Sequence, residues 1–530
     1  MWMRRVTILG AALAMAMGGG GAALAAGGHP VPASTQDPVS QIIVAAILVG
    51  VFGLLAADRV HRVLIPITAT ALVWLISYFT PFRLISFEAA KDAVDLNVIL
   101  LLASMMMLVG VLKTTNVFAW AVDRLLERSR GNPSLAATLI IWFTGVLSAI
   151  LDNVTTVIFT YPMASEMARR LRINGSAFFL PMVMAANIGG TATLIGDPPN
   201  VLIGADPRTN LSFMDFIYHL TVPCTFMMFV LVWYAKRYYA DDIGTAANKD
   251  HDAAARPTGA QLRNVRLLRW TCWLTALIFV GFMTHTLTGM QVAVPAVIGI
   301  AGVLLLQDYF YLKDHRPTHE ERQHGVLAIL EKEVEWPTLF FFLFLFILVG
   351  AAVATGLIDS LAQALAWVIN SASTSFGLSK AATLLLAALL ILWVSGFLSA
   401  VIDNIPYTAV TIPLVASLIK EMGAGPEGQV LWWALALGAC LGGNGTLIGA
   451  SANVTVTGLA EKDGKRISFN EFTAFGARVT GITLLMSSLY LALWIYVGST
   501  SINILGAVVL AAMIALALLR ARSMRVKSAG

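Results

Sequence analysis

The stretch LSAILDNVTT at 147–156 returns as LSAVIDNIPY at 398–407, and each copy places an Asp-Asn pair inside a long apolar run. A charged residue at the centre of a membrane helix costs ~2.5–3.5 kcal/mol on insertion scales. A chain that carries this cost twice is expected to use both carboxylates. We therefore predict that Asp152 and Asp403 bind an ion or carry a proton, the alternative being that they only cap helices.

The composition indicates a membrane protein. Of 530 residues, 58% are hydrophobic and 12% are charged, whereas soluble chains have about 25% charged residues. Apolar stretches such as FFFLFLFILVGAAVATGLI reach the ~20 residues that a helix needs to cross a bilayer. The net charge of +5 indicates basic cytoplasmic loops rather than nucleic-acid binding. The three cysteines are far apart, so the sequence predicts neither a disulfide framework nor a structural zinc site.

The chain is predicted to have four segments. Residues 1–26 have the pattern of a secretory signal peptide, a basic start followed by an apolar run and small residues; an uncleaved first helix is the alternative. An N-terminal transmembrane half is expected at 41–235 and a C-terminal half at 268–520. The polar stretch between them, 236–267, is predicted to be a cytoplasmic linker.

Four sequence blocks of the first half recur in the same order in the second half. The pairs are VDLNVIL at 94 with VEWPTLF at 334, TGVLSAILDN at 144 with SGFLSAVIDN at 395, GGTATLIGDPPN at 189 with GGNGTLIGASAN at 442, and SFMDF at 212 with SFNEF at 468. Internal duplication of this size is typical of secondary transporters.

Loop charges predict that the two repeats have opposite orientations. The loops DRLLERSRGN and MARRLRING of the first repeat are rich in arginine, which indicates the cytoplasmic side. The matching loops of the second repeat, NSASTSFGLSK and KEMGAGPEG, have one lysine each. After the Gly-Gly motif the bias reverses, since EKDGKR has three basic residues and GADPRTN has one. We expect inverted repeats, a plasma (inner) membrane location and a cytoplasmic C-terminus.

The predicted fold is an all-α polytopic membrane protein with two inverted-topology repeats. Each repeat is expected to contain a re-entrant hairpin, at 134–171 and 380–420, with its Asp-Asn pair at the tip. The Gly-Gly segments are expected to cross the membrane as broken helices. Non-helical backbone at that depth is tolerated only where it is buried in protein or lines a polar cavity.

Two hairpin tips and two broken helices related by a pseudo-two-fold axis would form one site at the middle of the membrane. Free backbone groups, hydroxyls and amides can bind a cation or a polar solute there, and the glycines allow close approach. The candidate binding residues are Asp152, Asn153, Thr156, Asn187, Gly189, Gly190, Thr191, Thr193, Asp197, Asn200, Asp403, Asn404, Gly442, Gly443, Asn444, Thr446 and Asn453.

Some of these assignments stay open. Asp197 is matched by Ala450 in the repeat, so it is either an asymmetric ligand or a turn residue. Asn187 either lines the site or makes a packing hydrogen bond. Sodium is expected near the two Asp-Asn pairs, with no other metal, no catalytic residue and no cofactor. A lone membrane cysteine such as Cys440 is usually a packing residue.

The Asp-Asn hairpins and GGTATLIGDPPNVLIG resemble the ion transporter superfamily over most of 41–520. The similarity is closest to the branch that contains arsenite permeases of the ArsB type, NhaD-type sodium/proton antiporters and the P protein, with a domain like that of citrate transporters. The resemblance implies an elevator-like motion and a homodimer. The wider family has Ser-Asn-Thr at the hairpin tips where this chain has Asp-Asn, which disfavours a dicarboxylate.

The sequence predicts a proton-coupled secondary antiporter. Arsenite or antimonite efflux is the first expectation, sodium/proton exchange is the alternative, and transport of a dicarboxylate or citrate-type anion is third. Its partners would be a small inorganic ion or neutral hydroxide, a coupling proton or sodium ion, and membrane lipids. An enzyme is not expected, because no HExxH or GxSxG pattern lies in a membrane segment.

Overall fold

The computed structural model describes residues 37–57, 59–129, 132–247, 259, 261–314 and 328–512. Within these ranges every regular element is a helix, and eight helices are long and apolar enough to cross a membrane. The predicted all-α polytopic fold is confirmed. The predicted signal peptide and residues 248–258 and 260 of the predicted linker lie outside the described residues.

The helices follow the predicted order of the two halves. In the first half they are α1 (Pro38–Ala57), α2 (Leu64–Phe79), α3 (Phe87–Ala93), α4 (Leu96–Thr114), α5 (Val117–Ser129), α6 (Pro133–Ser148), α7 (Asn153–Leu171), α8 (Ser176–Thr191), α9 (Pro198–Ala205), α10 (Phe213–Tyr238) and α11 (Ala240–Ala247). In the second half they are α12 (Val265–Thr288), α13 (Ala293–Asp314), α14 (Trp336–Ala354), α15 (Leu357–Phe376), α16 (Lys380–Val401), α17 (Asn404–Glu421), a 3-10 turn (Pro426–Gln429), α18 (Val430–Gly442), α19 (Ser451–Lys462), α20 (Phe469–Val497) and α21 (Ser499–Ala512).

The chain forms two compact units. The first contains the residues up to Asp95 together with Pro337–Ala364, and the second contains Leu96–Trp336 together with the residues from Leu365 onward. Inside the first unit, the hydroxyl of Thr70 donates to a backbone carbonyl of α14 at 3.2 Å. Both hairpins and both broken helices belong to the second unit, so all candidate site residues lie in one compact body.

The two predicted hairpins are confirmed. Helices α6 and α7 meet at Asp152, and helices α16 and α17 meet at Asp403. The first arms differ in length, since α6 has 16 residues and α16 has 22. An arm of 22 residues is long enough to cross a bilayer, so the repeats share their motifs but not their arm lengths.

Both Gly-Gly segments form the predicted broken helices. Helix α8 ends at Thr191 and α9 begins at Pro198, while α18 ends at Gly442 and α19 begins at Ser451. Pro198 and Pro199 open α9, where a proline is tolerated because the first turn of a helix has no partners for its N–H groups. Each break therefore exposes helix ends in the interior of the protein.

Glycines bring each hairpin arm against its broken helix at backbone distance. A Cβ on Gly189 of α8 would overlap the backbone of Gly145 in α6. A Cβ on Gly442 of α18 would overlap the backbone of Gly396 in α16. Small residues allow such close approach in membrane helix pairs, and the duplicated contact holds each hairpin next to the break that it faces.

Two helices were not expected from the sequence. Helix α15 runs to Phe376 and so covers part of the segment that sequence analysis placed in a loop at 370–380. Helix α11 lies inside the predicted linker 236–267. Both helices carry polar residues on one face, and this pattern hides a helix from a search for long apolar runs.

Replacement of Gly189 by alanine should destabilise the protein strongly. Overpacking typically costs about 1–3 kcal/mol, and the obstacle here is backbone, which cannot rotate away. The control is Gly481→Ala in α20, where a Cβ meets nothing within 4 Å. Thermal unfolding in detergent, followed by tryptophan fluorescence, should give a lowered midpoint for Gly189→Ala and an unchanged or raised midpoint for Gly481→Ala. Equal midpoints for both variants would contradict the packing described.

Candidate functional site

The tip of each hairpin is capped by its aspartate. Asp152 Oδ1 accepts from the backbone N–H of Thr155 at 2.8 Å. Asp403 Oδ1 accepts from the backbone N–H of Ile405 at 3.2 Å, and its Oδ2 accepts from the Ser451 hydroxyl at 2.7 Å. Both carboxylates satisfy the free N–H groups at a helix start. The structure thus gives these two residues the capping role that the sequence left as the alternative.

The last asparagine of each Gly-Gly motif closes the loop of its broken helix. Asn200 Nδ2 donates to the carbonyls of Thr191 and Thr193, both at 2.9 Å. Asn453 Nδ2 donates to the carbonyls of Gly443 at 2.7 Å and Thr446 at 2.9 Å. Carbonyls at the break would otherwise be buried without partners, so these amides make the interruption tolerable.

Threonines tie each break to the neighbouring hairpin. The hydroxyl of Thr193 donates to the carbonyl of Ala149 at 2.7 Å, next to the first tip. The hydroxyl of Thr446 donates to the carbonyl of Ala400, next to the second tip. These matching bonds fix the position of each tip relative to its broken helix, so the duplicated sequence produces a duplicated geometry.

Asp197 lies between the two hairpin tips and is fully buried. Its Oδ1 accepts from Asn153 Nδ2 at 3.1 Å and from Asn404 Nδ2 at 3.4 Å. Its Oδ2 has no hydrogen-bond partner among the described residues. The carboxylate therefore bridges both repeats through one oxygen.

Asn187 links the same group to the second broken helix. Its Oδ1 accepts from Asn153 Nδ2 at 3.0 Å. Its Nδ2 donates to Asn444 Oδ1 at 2.9 Å and to Asn453 Oδ1 at 3.1 Å. We call Asp197 with Asn153, Asn187, Asn404, Asn444 and Asn453 the carboxamide cluster.

The cluster is buried and electronegative. Its members are almost inaccessible to solvent, and the hydrogen bonds described for it involve amides, one carboxylate and backbone carbonyls, with no Lys, Arg or His side chain. Asn444 Nδ2 is a second polar group without a partner in the described part of the chain. A buried carboxylate oxygen without a hydrogen-bond partner, such as Asp197 Oδ2, suits a small hard cation or a proton.

The remaining candidates surround the cluster. Thr191 donates to the carbonyl of Asn187 within α8 at 2.7 Å, and the buried hydroxyl of Thr156 has no partner among the described residues. Gly189, Gly190 and Gly442 lie at close contacts between a hairpin arm and a broken helix, and Gly443 packs against the loop of its own break.

Two contacts at the site were not predicted. Cys440 Sγ lies 3.5 Å from Asn200 Oδ1, so the thiol borders the site rather than packing against apolar side chains alone. Ser451, which bonds to Asp403, stands where the first repeat has Pro198. The only sequence signal for Ser451 was its position inside a duplicated motif.

Comparisons with known proteins agree with this architecture. The family model described as citrate transporter (CitMHS) matches residues 52–438 of the chain. An uncharacterized transporter of Mycobacterium tuberculosis is 37% identical over 86% of this chain and 99% of its own length. The human P protein is 28% identical over 85% of this chain and 59% of its own length. The crystal structure of the YdaH transporter of Alcanivorax borkumensis has a similar fold, with a TM-score of 0.56 and 14% identity, covering 87% of this chain and 99% of that chain.

The capping role of Asp152 predicts that its removal acts on stability through one helix end. Asp152→Ala should lower the free energy of unfolding by about 1 kcal/mol, because the N–H of Thr155 loses its acceptor. Asp152→Asn should stay close to wild type, because asparagine caps about as well as aspartate. Thermal unfolding of the three proteins at one pH checks this, and a loss of stability in Asp152→Asn equal to that in Asp152→Ala would contradict the capping role.

Proposed function

The chain belongs to the citrate transporter family of membrane transporters, and we propose that it is a secondary active transporter whose coupling ion binds at Asp197. In this proposal sodium and protons compete for the same buried carboxylate, so that the protein works as a sodium/proton antiporter. The observation that carries the proposal is the buried Asp197 carboxylate, with one oxygen bonded to both hairpin tips and the other without a partner.

The chemistry of the carboxamide cluster favours a cation. An ionisable residue inside a membrane is costly and is a functional candidate by default. Asp197 supplies the single negative charge and one carboxylate oxygen without a hydrogen-bond partner, and carboxylate oxygens are hard ligands of the kind that alkali and alkaline-earth ions prefer. The capped carboxylates Asp152 and Asp403 have oxygens already bonded to helix starts, so Asp197 is the better candidate for the ion-binding group.

Asp197 also offers a physical link between ion binding and motion. As a charged acceptor it holds the amides of Asn153 and Asn404, one from each hairpin. A proton or a sodium ion on this carboxylate weakens it as a hydrogen-bond acceptor, because hydrogen bonds to an ionised group are the stronger ones. Binding of a proton or a sodium ion to Asp197 would thus change the hydrogen bonds of both hairpin tips. An ion can shift a protein between two conformations only if it interacts differently with each of them.

Loop charge gives the orientation that we propose. The ends of α5 and α7 carry Arg124, Arg128, Arg169 and Arg170, and basic loops stay in the cytoplasm. We accordingly place this side of the protein in the cytoplasm of a cell with the chain in its inner membrane. The opposite side would then face outward, and the C-terminus would be cytoplasmic.

Citrate, after which the family is named, is less well suited to the cluster as a free ion. Its three carboxylates would meet Asp197 without a basic side chain among the hydrogen-bonded residues described, and like charges repel in a medium of low dielectric constant. Citrate would need a bound cation to cancel its charge. The transport assay must therefore distinguish cation-dependent citrate flux from sodium/proton exchange without citrate.

Arsenite or antimonite is the second candidate, and the Cys440 thiol favours it. Trivalent arsenic binds thiols, and this thiol lies at Asn200 on the border of the carboxamide cluster. A neutral hydroxide is also not repelled by Asp197. Arsenite-driven proton flux that disappears in Cys440→Ala would support this candidate over sodium.

The main prediction is that Asp197→Asn abolishes coupling. Asparagine keeps an oxygen to accept from Asn153 and Asn404, but it removes the charge and the proton-binding oxygen. In everted vesicles with a pH-sensitive dye, sodium-driven proton flux should fall to the level of vesicles that lack the protein. Asp152→Asn and Asp403→Asn are matched controls, and both should stay within about threefold of wild type because asparagine is an equivalent cap.

The opposite pattern would overturn the proposal. Full sodium-driven flux in Asp197→Asn, with flux lost in Asp152→Asn and Asp403→Asn, would transfer the coupling role to the hairpin tips. The thermal unfolding midpoint of each variant must match that of wild type, so that a loss of flux cannot be explained by unfolding of the variant.

A further inference from the structure

A polar contact joins the first hairpin to the end of the second broken helix on the arginine-rich side. Tyr161 Oη in α7 donates to Asp463 Oδ2 at 2.8 Å. The hydroxyl of Ser165, one turn further along α7, donates to the same oxygen at 3.1 Å. Asp463 directly follows α19. We call these three residues the inner latch, and none of them belongs to the carboxamide cluster.

Two further residues surround the inner latch. Lys465 Nζ lies 3.5 Å from Ser165 Oγ and 5.3 Å from the centre of the Phe179 ring. The Phe179 ring in turn lies 4.9 Å from the ring of Tyr161. The contact therefore involves the second arm of the hairpin, the loop after α19 and the start of α8.

The equivalent positions of the other repeat, which lie in the described part of the chain, have different side chains. When the Asp-Asn motifs and the prolines Pro162 and Pro413 are aligned, Ile412 stands in place of Tyr161 and Ala416 in place of Ser165. Neither side chain has a hydroxyl, so neither can donate a hydrogen bond of this kind.

The loop of the first repeat also differs from its counterpart. Asp206, the acidic residue in the loop that matches Asp463, pairs instead with Arg208 at 2.6 Å. A cavity of about 500 Å³ lies at this place, lined by Arg208, Thr209, Ala416, Ser417 and Lys420 among others. The two pseudo-symmetric interfaces therefore differ: one is bridged by the inner latch and the other is a cavity.

We propose that the inner latch is the gate that keeps the site closed toward the arginine-rich side, while the matching cavity is the approach from the opposite side. This proposal rests on the proposed transport function, because a gate requires a site to which access alternates. Opening toward the arginine-rich side would separate α7 from α19 and break both hydrogen bonds to Asp463.

The chemistry of the inner latch fits a contact that forms and breaks. Tyr161 is 3% exposed, whereas Asp463 is exposed to solvent. On opening, water can replace the two hydroxyls at Asp463, so no buried charge loses its partners. The net free energy that such a contact contributes is therefore small, which allows the closed and open states to interconvert.

The experiment measures access rather than transport. Val456 is fully buried in α19. Val456→Cys serves as the reporter in a chain whose native cysteines Cys224, Cys272 and Cys440 are replaced by serine. In everted vesicles, a membrane-impermeant maleimide should label this cysteine about fivefold faster when Tyr161→Phe is added, the effect of losing about one net hydrogen bond. Labelling from the opposite side, in right-side-out vesicles, should not rise.

The matched control is Tyr407→Phe. Tyr407 lies in the second arm of the other hairpin and its hydroxyl is hydrogen-bonded to Ser395 at 3.0 Å. This variant therefore also removes one tyrosine hydroxyl, but it leaves the inner latch intact. Its labelling should equal that of the reporter alone. Asp463→Ala removes both hydrogen bonds of the inner latch and should raise labelling at least as much as Tyr161→Phe. Adding Tyr161→Phe to Asp463→Ala should give no further rise, because the tyrosine hydroxyl then has no carboxylate to donate to.

Three results would overturn the gate. These are an unchanged labelling rate in Tyr161→Phe, a rise that is equal from both sides, and additive effects of Tyr161→Phe and Asp463→Ala. A lowered unfolding temperature without side-selective labelling would identify the contact as static packing. Because the readout is labelling, a side-selective rise would stand even where Asp197→Asn left sodium-driven flux intact, so failure of the gate and failure of the ion site are distinguishable.

Discussion

The hydrogen bonds from both hairpin tips to one buried carboxylate are the interaction on which the site depends. Asp197 Oδ1 accepts from Asn153 and from Asn404, which come from opposite repeats. Both tips must reach the same oxygen. This requirement restricts where the hairpin arms, the broken helices and their close glycine contacts can lie. A duplicated scaffold thus presents its two halves to a single, unduplicated charge.

The scaffold is possible only because the interrupted backbone is satisfied internally. Asn200 and Asn453 donate to the carbonyls at the two breaks, and Asp152 and Asp403 accept from the N–H groups at the two helix starts. In a bilayer no water replaces such partners. These four residues therefore have a structural role, which is why we propose Asp197 rather than a hairpin-tip aspartate as the ion-binding group.

The architecture could be predicted from the sequence, but the relative importance of the three aspartates at the site could not. Apolar length, repeated motifs and loop charge predicted the hairpins and the broken helices, because these features are local or are set by the membrane. They did not show which aspartate has an available oxygen, since that depends on contacts between residues more than 200 positions apart, such as Asn404 with Asp197. The mismatch of Asp197 with Ala450 was the signal for the asymmetric charge, and the amphipathic α15 was missed because it lacks a long apolar run.

One binding measurement tests most directly whether sodium and protons share this carboxylate. Purified wild-type protein in detergent is titrated with radioactive sodium over a series of pH values, and the number of ions bound per chain is counted at saturation. We predict one sodium ion per chain, with an apparent affinity that falls by about tenfold for each unit by which the pH is lowered, in the range where protons occupy the carboxylate. Two ions per chain, or sodium binding that does not depend on pH, would contradict this prediction.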